Sequence, residues 1–281
     1  MLYPTTLRRK ALAGCAAAWL VASACASASQ MATDTHAGRA ALVYTPDNLP
    51  AWGNRALVVV LHGGMGNARR IAAGRSESAL NLNAVADQGG FVVAYLNGTP
   101  VARFLGADKL GWNAGACCGQ PAERAVDDVG YIRAAVEEIA AKQGIDRSRI
   151  FGVGHSNGAM MTQRVMCETP LYAAVVPISG GLESGASRCA GAAGRRIMAI
   201  HGEDDQNVPV GGGRGSKGLA RVDYVSEAAT ARVWRDSGAV YDLRIVKGAD
   251  HSVDAINAQL VRLESVTLGQ KIARFFGLLE H

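Results

Sequence analysis

Past its first thirty residues the sequence has no apolar run near the roughly 20 residues a bilayer-spanning helix needs. It has no CxxC and no HxxxH spacing, so a zinc site has no ligand pattern to rest on and no metal is expected. No internal repeat and no Pro/Thr-rich linker divides it. The Gly-rich stretch at 63–66 lacks the G-K-[ST] of a phosphate-binding loop. The net charge of +5 is partly N-terminal. The other basic residues are scattered among acids without interleaved aromatics, which argues against nucleic acid as a partner.

What is present begins with an export signal. Arg8, Arg9 and Lys10 precede an apolar stretch from Ala11 to Ala24, and Ala26-Ser27-Ala28 fits a small-residue cleavage site. Residues 1–28 are therefore read as a signal peptide and the mature protein as secreted or periplasmic. Two variants compete: a twin-arginine signal at Arg8-Arg9, and a lipid anchor at Cys25, where Ala22 makes a poor lipobox. About 250 residues remain, the size of one α/β domain with a full core. Residues 40–281 are assigned to it.

Cys117, Cys118, Cys167 and Cys189 lie in that body, and an even count in an exported chain favours disulfides. Of the three possible pairings the preferred one joins Cys167 to Cys189. Cys117 and Cys118 are then a vicinal bridge or a reduced pair.

Branched apolar runs at Leu57–Leu61, Phe91–Tyr95, Ile150–Val153, Ala173–Ile178, Ile197–Ile200 and Tyr241–Val246 read as buried strands. Helical patterns cover Val126–Lys142, Gly158–Cys167, Ser226–Asp236 and Thr267–Leu279, with Gly144 stopping the first. The alternation predicts a mainly parallel sheet covered by helices on both faces. Chemistry on such a sheet gathers at the carboxyl ends of its strands.

At one such end stands Gly154-His155-Ser156-Asn157-Gly158, between a strand and a helix. G-x-S-x-G there is a nucleophile elbow, with glycines where side chains would clash and the serine at a helix N-terminus. The bland reading is a Gly-rich turn with a capping serine. A serine nucleophile needs a base and the base an acid, in the chain order Ser, acid, His. His251 follows the last strand through a short loop and is the base candidate, while His201 sits at a strand end and His281 is terminal. Glu203, Asp204 and Asp205 compete as the acid, with H-G-x-x-D pointing to Asp205. His62-Gly63-Gly64-Met65 offers a backbone donor for an oxyanion, from Gly64 or Met65, to join the Asn157 N–H. Trp112 and His155 are candidates for substrate contact, though Trp112 serves equally as a loop anchor. Asp127-Asp128 reads as a helix cap and Trp234 as packing.

"LHGGMGNA", "GWNAGACCG", "VDDVGYI", "GHSNGAMM", "HGEDDQNVP" and "GADHS", in this order, resemble the secreted esterases known as polyhydroxybutyrate depolymerases or feruloyl esterases. The likeness runs from about Ala40 to Leu279. It implies a single-domain α/β-hydrolase fold without a cofactor, with Ser156 as nucleophile, Asp205 as acid, His251 as base and oxyanion donors at Gly64 and Asn157. Two departures stand out. The base lies in "GADHSVDAIN" where many members have G-H-x-W-P-G, and the acid in "HGEDD" where they have H-G-T-x-D. An ester, small or oligomeric, is the expected substrate, of a hydroxyalkanoate or a plant cell-wall polysaccharide. A peptidase on the same fold lacks a visible peptide-selecting domain. An exported binding protein on an inert hydrolase scaffold is disfavoured because nucleophile, acid, base and glycine loop all survive in order.

Overall fold

Alternation along the strands divides the core in two. In the strand Arg55–Leu61, Leu57, Val59 and Leu61 point into one apolar cluster and Ala56, Val58 and Val60 into the other. In Val92–Leu96 the same happens, with Val92, Ala94 and Leu96 on one side and Val93 and Tyr95 on the other. A strand with period-two side chains that is apolar on both faces has to be covered on both. Each branched side chain so buried contributes about 1.5–3 kcal/mol.

The computed structural model describes residues 29–280 apart from 219 and 221. The signal-like segment 1–28, with Cys25, and His281 lie outside the described residues. In chain order the strands are β1 (Gln30–His36), β2 (Arg39–Thr45), β3 (Arg55–Leu61), β4 (Val92–Leu96), β5 (Thr99–Pro100), β6 (Leu110–Gly111), β7 (Ile145–His155), β8 (Ala174–Ile178), β9 (Arg196–Gly202) and β10 (Val240–Val246). The helices are α1 (Ala68–Ala72), α2 (Asn83–Gly89), α3 (Gly119–Glu123), α4 (Asp128–Gln143), α5 (Asn157–Glu168), α6 (Glu227–Asp236), α7 (Val253–Glu264) and α8 (Leu268–Phe275).

Eight strands form one sheet in the order β1-β2-β4-β3-β7-β8-β9-β10, and β5 pairs with β6 in a separate two-stranded ribbon. From β4 to β10 every pairing is parallel. Buried residues of α4, α5 and α6 pack on one face, and those of α1, α2, α7 and α8 on the other. The expected doubly covered parallel sheet is present.

Several elements go beyond the sequence reading, among them β1, β2 and α7. β1 and β2 add an antiparallel edge. Six of the seven β1 residues are exposed, so the strand carries no apolar alternation to be read. α7 follows the base candidate directly, capped by the Ser252 side chain. Its buried Val253, Ile256 and Leu260 have helical spacing, a signal the sequence did hold. The stop at Gly144 is as expected. Gly144 closes α4 in the left-handed region at φ 62°, with its N–H bonded to Ala140 O. Thr267 and Gln270 form a reciprocal capping box at the start of α8.

Cys167, in the last turn of α5, is bridged to Cys189. The sulfurs of Cys117 and Cys118 are joined as a vicinal pair. The first bridge closes a separation of 22 residues, which in the chain-entropy description stabilises the fold by about 3 kcal/mol. Cys189→Ser is expected to lower unfolding stability by about that amount. Urea denaturation of the oxidised wild type beside the variant checks it, and an unchanged midpoint would remove the bridge from the stability account.

Candidate active site

β7 ends at His155 and α5 begins at Asn157, so the whole turn between them is Ser156. Its backbone is at φ 53°, ψ −121°, a region that costs a non-glycine residue on the order of 1–3 kcal/mol. The surroundings over-determine it. Ser156 N donates to Ile178 O at 2.8 Å, and Ser156 O accepts the Met160 N–H. A Cβ on Gly154 would lie 2.2 Å from Gly158 O, and one on Gly158 2.4 Å from Leu61 O. Both glycines are there because strand and helix backbones touch.

Two more strand ends bring partners to the serine. His251, after β10, presents Nε2 to Ser156 Oγ at 3.0 Å and Nδ1 to Asp205 Oδ2 at 2.7 Å. Asp205, after β9, also accepts the Asn207 and Val208 N–H groups on Oδ1, at 2.8 and 2.9 Å. Of the three competing carboxylates it alone faces His251; Glu203 and Asp204 are exposed. Burial pushes the Asp205 carboxyl up, but hydrogen bonds from His201 and His251 outweigh it and hold the group well below the ordinary carboxylate range. For His251 burial comes first. It outweighs the hydrogen bond to Asp205, the positive charge at His155 adds to it, and the ring sits below the ordinary histidine value.

Behind Asp205 lies a buried network that the sequence does not announce. His201 Nδ1 is 2.8 Å from Glu227 Oε1, and its Nε2 is 3.1 Å from Asp205 Oδ2 and 2.8 Å from Val208 O. Tyr241 OH donates to the other Glu227 oxygen at 2.6 Å. Both nitrogens of His201 face only acceptors, so both must carry a proton. Burial would lower this group, yet hydrogen bonds to Asp205 and Glu227 raise it to about 9.

The remaining candidates separate. The Gly64 N–H has no acceptor among the described residues, and the Asn157 N–H, first in α5, has none within its helix. Met65 does not share that freedom: its N–H donates to Leu110 O at 2.8 Å, which removes it as an oxyanion donor. Trp112 is fully buried and its indole N–H donates to His62 O at 2.9 Å, so it anchors the loop and does not line a pocket. Asn157 holds the same loop from the other side. Its amide takes the Trp112 N–H at 2.7 Å and donates to Trp112 O at 3.0 Å. His155 has both nitrogens engaged, with Glu77 and with His251 O, and its ring is not free to bind substrate. Asp127 caps α4 as expected, but Asp128 is buried and binds Arg39 and the Asn113 N–H. Trp234 packs in the core, its N–H on Gln163.

Above Ser156 opens a cavity of about 710 Å³, walled by Met65, Val101, Leu105, Val208 and Tyr224, with Arg70 and Lys109 also on its lining. Among the described residues no His/Cys/Asp/Glu cluster could hold a metal ion. No helix there is long and apolar enough to cross a membrane.

The sequence model of a family described as Phospholipase/Carboxylesterase matches residues 120–261, just over half of the chain, a span containing Ser156, Asp205 and His251. The chain belongs to that family. It is 30% identical over 162 residues to NocK of Nocardia uniformis subsp. tsuyamanensis, covering 56% of this chain and 42% of that one. It is 28% identical over 161 residues to feruloyl esterase B of Piromyces equi, covering 56% and 27%. The match thus spans less than half the length of either curated relative. Among solved structures, the acetyl xylan esterase from Aspergillus awamori superposes with a TM-score of 0.55 at 18% identity, covering 90% of this chain and 100% of that one. The feruloyl esterase module from Clostridium thermocellum, complexed with sinapinate, gives 0.55 at 16%, covering 90% of each. Together with the sheet order, these likenesses make the fold that of the α/β-hydrolases.

The buried His201 ion pairs generate a test. His201 is raised from 6.5 to about 9, so the stability it contributes is complete below pH 6.5 and lost as pH rises through 9. Glu227→Gln removes part of that shift. Urea midpoints at pH 6.5 and 9 should fall further for wild type than for the variant; equal falls would mean that His201 does not titrate in this window.

Proposed function

We propose that the protein is a serine esterase in which Ser156, His251 and Asp205 act as nucleophile, base and acid. The observation that carries this reading is the unbroken contact from Ser156 Oγ through His251 to Asp205, under an apolar cavity at the carboxyl ends of the strands. Asp205 fixes the proton on His251 Nδ1, so Nε2 accepts the Ser156 proton as Oγ attacks the ester carbonyl. The oxyanion is received by the Gly64 and Asn157 N–H groups, pre-aimed donors in a site partly closed to water. His251 then returns the proton to the leaving alcohol, and water repeats the cycle on the acyl-enzyme.

For the substrate, the cavity supports a hydroxyalkanoate ester or oligomer. The apolar part of its wall, Met65, Val101, Leu105 and Val208, is aliphatic apart from Tyr224, which suits a flexible acyl chain better than a planar one. Arg70 and Lys109, without ion-pair partners among the described residues, suit the free carboxylate at an oligomer's end. The second reading is a feruloyl or acetyl xylan esterase, favoured by the solved neighbours of those names. Export through residues 1–28 and a catalytic domain over 40–281 belong to the same proposal.

The test is kcat/KM on a hydroxybutyrate trimer and on methyl ferulate, with Ser156→Ala as blank. The blank should lose roughly 10,000-fold or more. Full turnover in it would sink the nucleophile assignment, and preference for the ferulate would transfer the protein to the second reading. The pH profile is a separate check. His251 works as the neutral base, and its value lies below 6.5, so the acid limb of kcat/KM should have its midpoint below pH 6.5. A midpoint above it would contradict the burial account of His251.

A further inference from the structure

Glu77 belongs to none of the motifs of the site, yet its backbone is left-handed, at φ 51° and ψ 41°. A residue with a Cβ occupies that region at a cost and stays there only when its contacts require it. Here the contacts converge. Its side chain is 13% exposed. Oε1 accepts the Gly63 N–H at 2.8 Å and lies 2.6 Å from His155 Nδ1. His155 Nε2 faces the His251 carbonyl oxygen at 2.8 Å, and the two rings stand 4.8 Å apart. Both nitrogens of His155 face acceptors, so the ring donates in both directions and Glu77 carries the balancing charge.

The Gly-rich loop is shaped around this carboxylate. A Cβ on Gly63 would come within 2.9 Å of Glu77 Oε1 and 3.0 Å of His155 Nδ1, and one on Gly66 within 2.9 Å of Glu77 Oε2. Asp205 orients the ring of His251 through Nδ1 but does not hold its main chain. The His155 contact does. One carboxylate thus grips the loop that carries Gly64 and, through one ring, the backbone of His251.

We propose that Glu77 and His155 are positioning residues, a clamp that sets the Gly64 loop and His251 in register with Ser156. The proposal rests on the esterase reading. Neither residue touches the reacting atoms, and a misplacement of about 1 Å at such a distance is enough to cost about 100-fold. The burial-opposed balance of charge agrees: hydrogen bonding and charge raise His155 and lower Glu77 against the desolvation of each. The charged groups facing His251 are Asp205 and His201 from the β9 side, His155 and Glu77 from the β7 side, and Asp250 and Asp254 around the hollow behind it.

Glu77→Gln and Glu77→Ala separate the clamp from mere packing. Gln keeps the shape: its Oε1 can accept both the Gly63 N–H and the His155 Nδ1–H, as the carboxylate oxygen does. With Ser156→Ala as blank, Glu77→Ala is expected to lower kcat about 10- to 100-fold with KM within about threefold. Glu77→Gln should recover kcat to within about fivefold of wild type. Without the Glu77 charge that raises it, His155 gives up its second proton more readily, so the His251 titration, followed by NMR of the labelled ring, should move up. Melting curves identify a variant that has not folded, and Glu77→Gln then carries the test. A Glu77→Ala kcat within twofold of wild type, a loss confined to KM, or equal damage in both variants would overturn the clamp. Wild type as inactive as the blank would overturn the esterase reading instead. The His251 titration would still decide the clamp, an unmoved midpoint in Glu77→Gln rejecting it.

Discussion

The site depends on a carboxylate taken out of water and given four donors. Asp205 has a fully buried side chain, and an unpaired charge there would cost several kcal/mol. Two backbone N–H groups and two imidazoles fill its acceptor positions. That saturation keeps it ionised, and an ionised Asp205 keeps the His251 proton on Nδ1. The tautomer of His251, the proposed base, is therefore decided at its neighbour Asp205. The charge is itself balanced: Glu227, His201 and Asp205 alternate in sign along a buried line ending at His251.

Around that line the sheet supplies register. β7, β9 and β10 run parallel with β8 between, so their carboxyl ends deliver Ser156, Asp205 and His251 to one edge of one surface. The loop after β3 brings Gly64 to the same place. Strain at Ser156 is tolerable because backbone contacts on both sides hold it, and its neighbours are glycines for the same reason. The Asn157 side chain pins the Trp112 backbone under the turn while its N–H stays unspent. One residue therefore serves the fold and the site with different atoms.

The sequence was legible where chemistry coincides with local pattern. Buried strands are short branched runs bounded by glycine, and the elbow and the His251 loop follow two of them. What it did not hold is tertiary. Asp205 stands beside two other acids; H-G-x-x-D points to it, but the turn through Asn207 and Val208 is what faces it to His251. Trp112 reads equally as wall or anchor until its burial is known. Met65 and Gly64 are adjacent amides, one of which is consumed by Leu110, a residue of another strand. Glu77 lies in a stretch without periodicity, 78 positions from the histidine it binds. Asp127 and Asp128 are split by helix phase, one facing its own helix and the other the core. The base's flanking helix is a different case, since Val253, Ile256 and Leu260 carried its signal.

Part of the cavity wall hangs from a different part of the chain than Ser156, Asp205 and His251. Val101 and Leu105 lie on the excursion between β4 and α3, outside the main sheet, while the serine, acid and base close three strands of it. The excursion is tied to the site through its own main-chain atoms, those of Trp112 to the Asn157 side chain and Leu110 O to the Met65 N–H. On the excursion's side these contacts do not depend on which side chain a residue carries. On the proposed esterase reading, descendants of such a chain are free to explore new esters through drift in a surface ribbon, while the proposed reaction centre stays untouched.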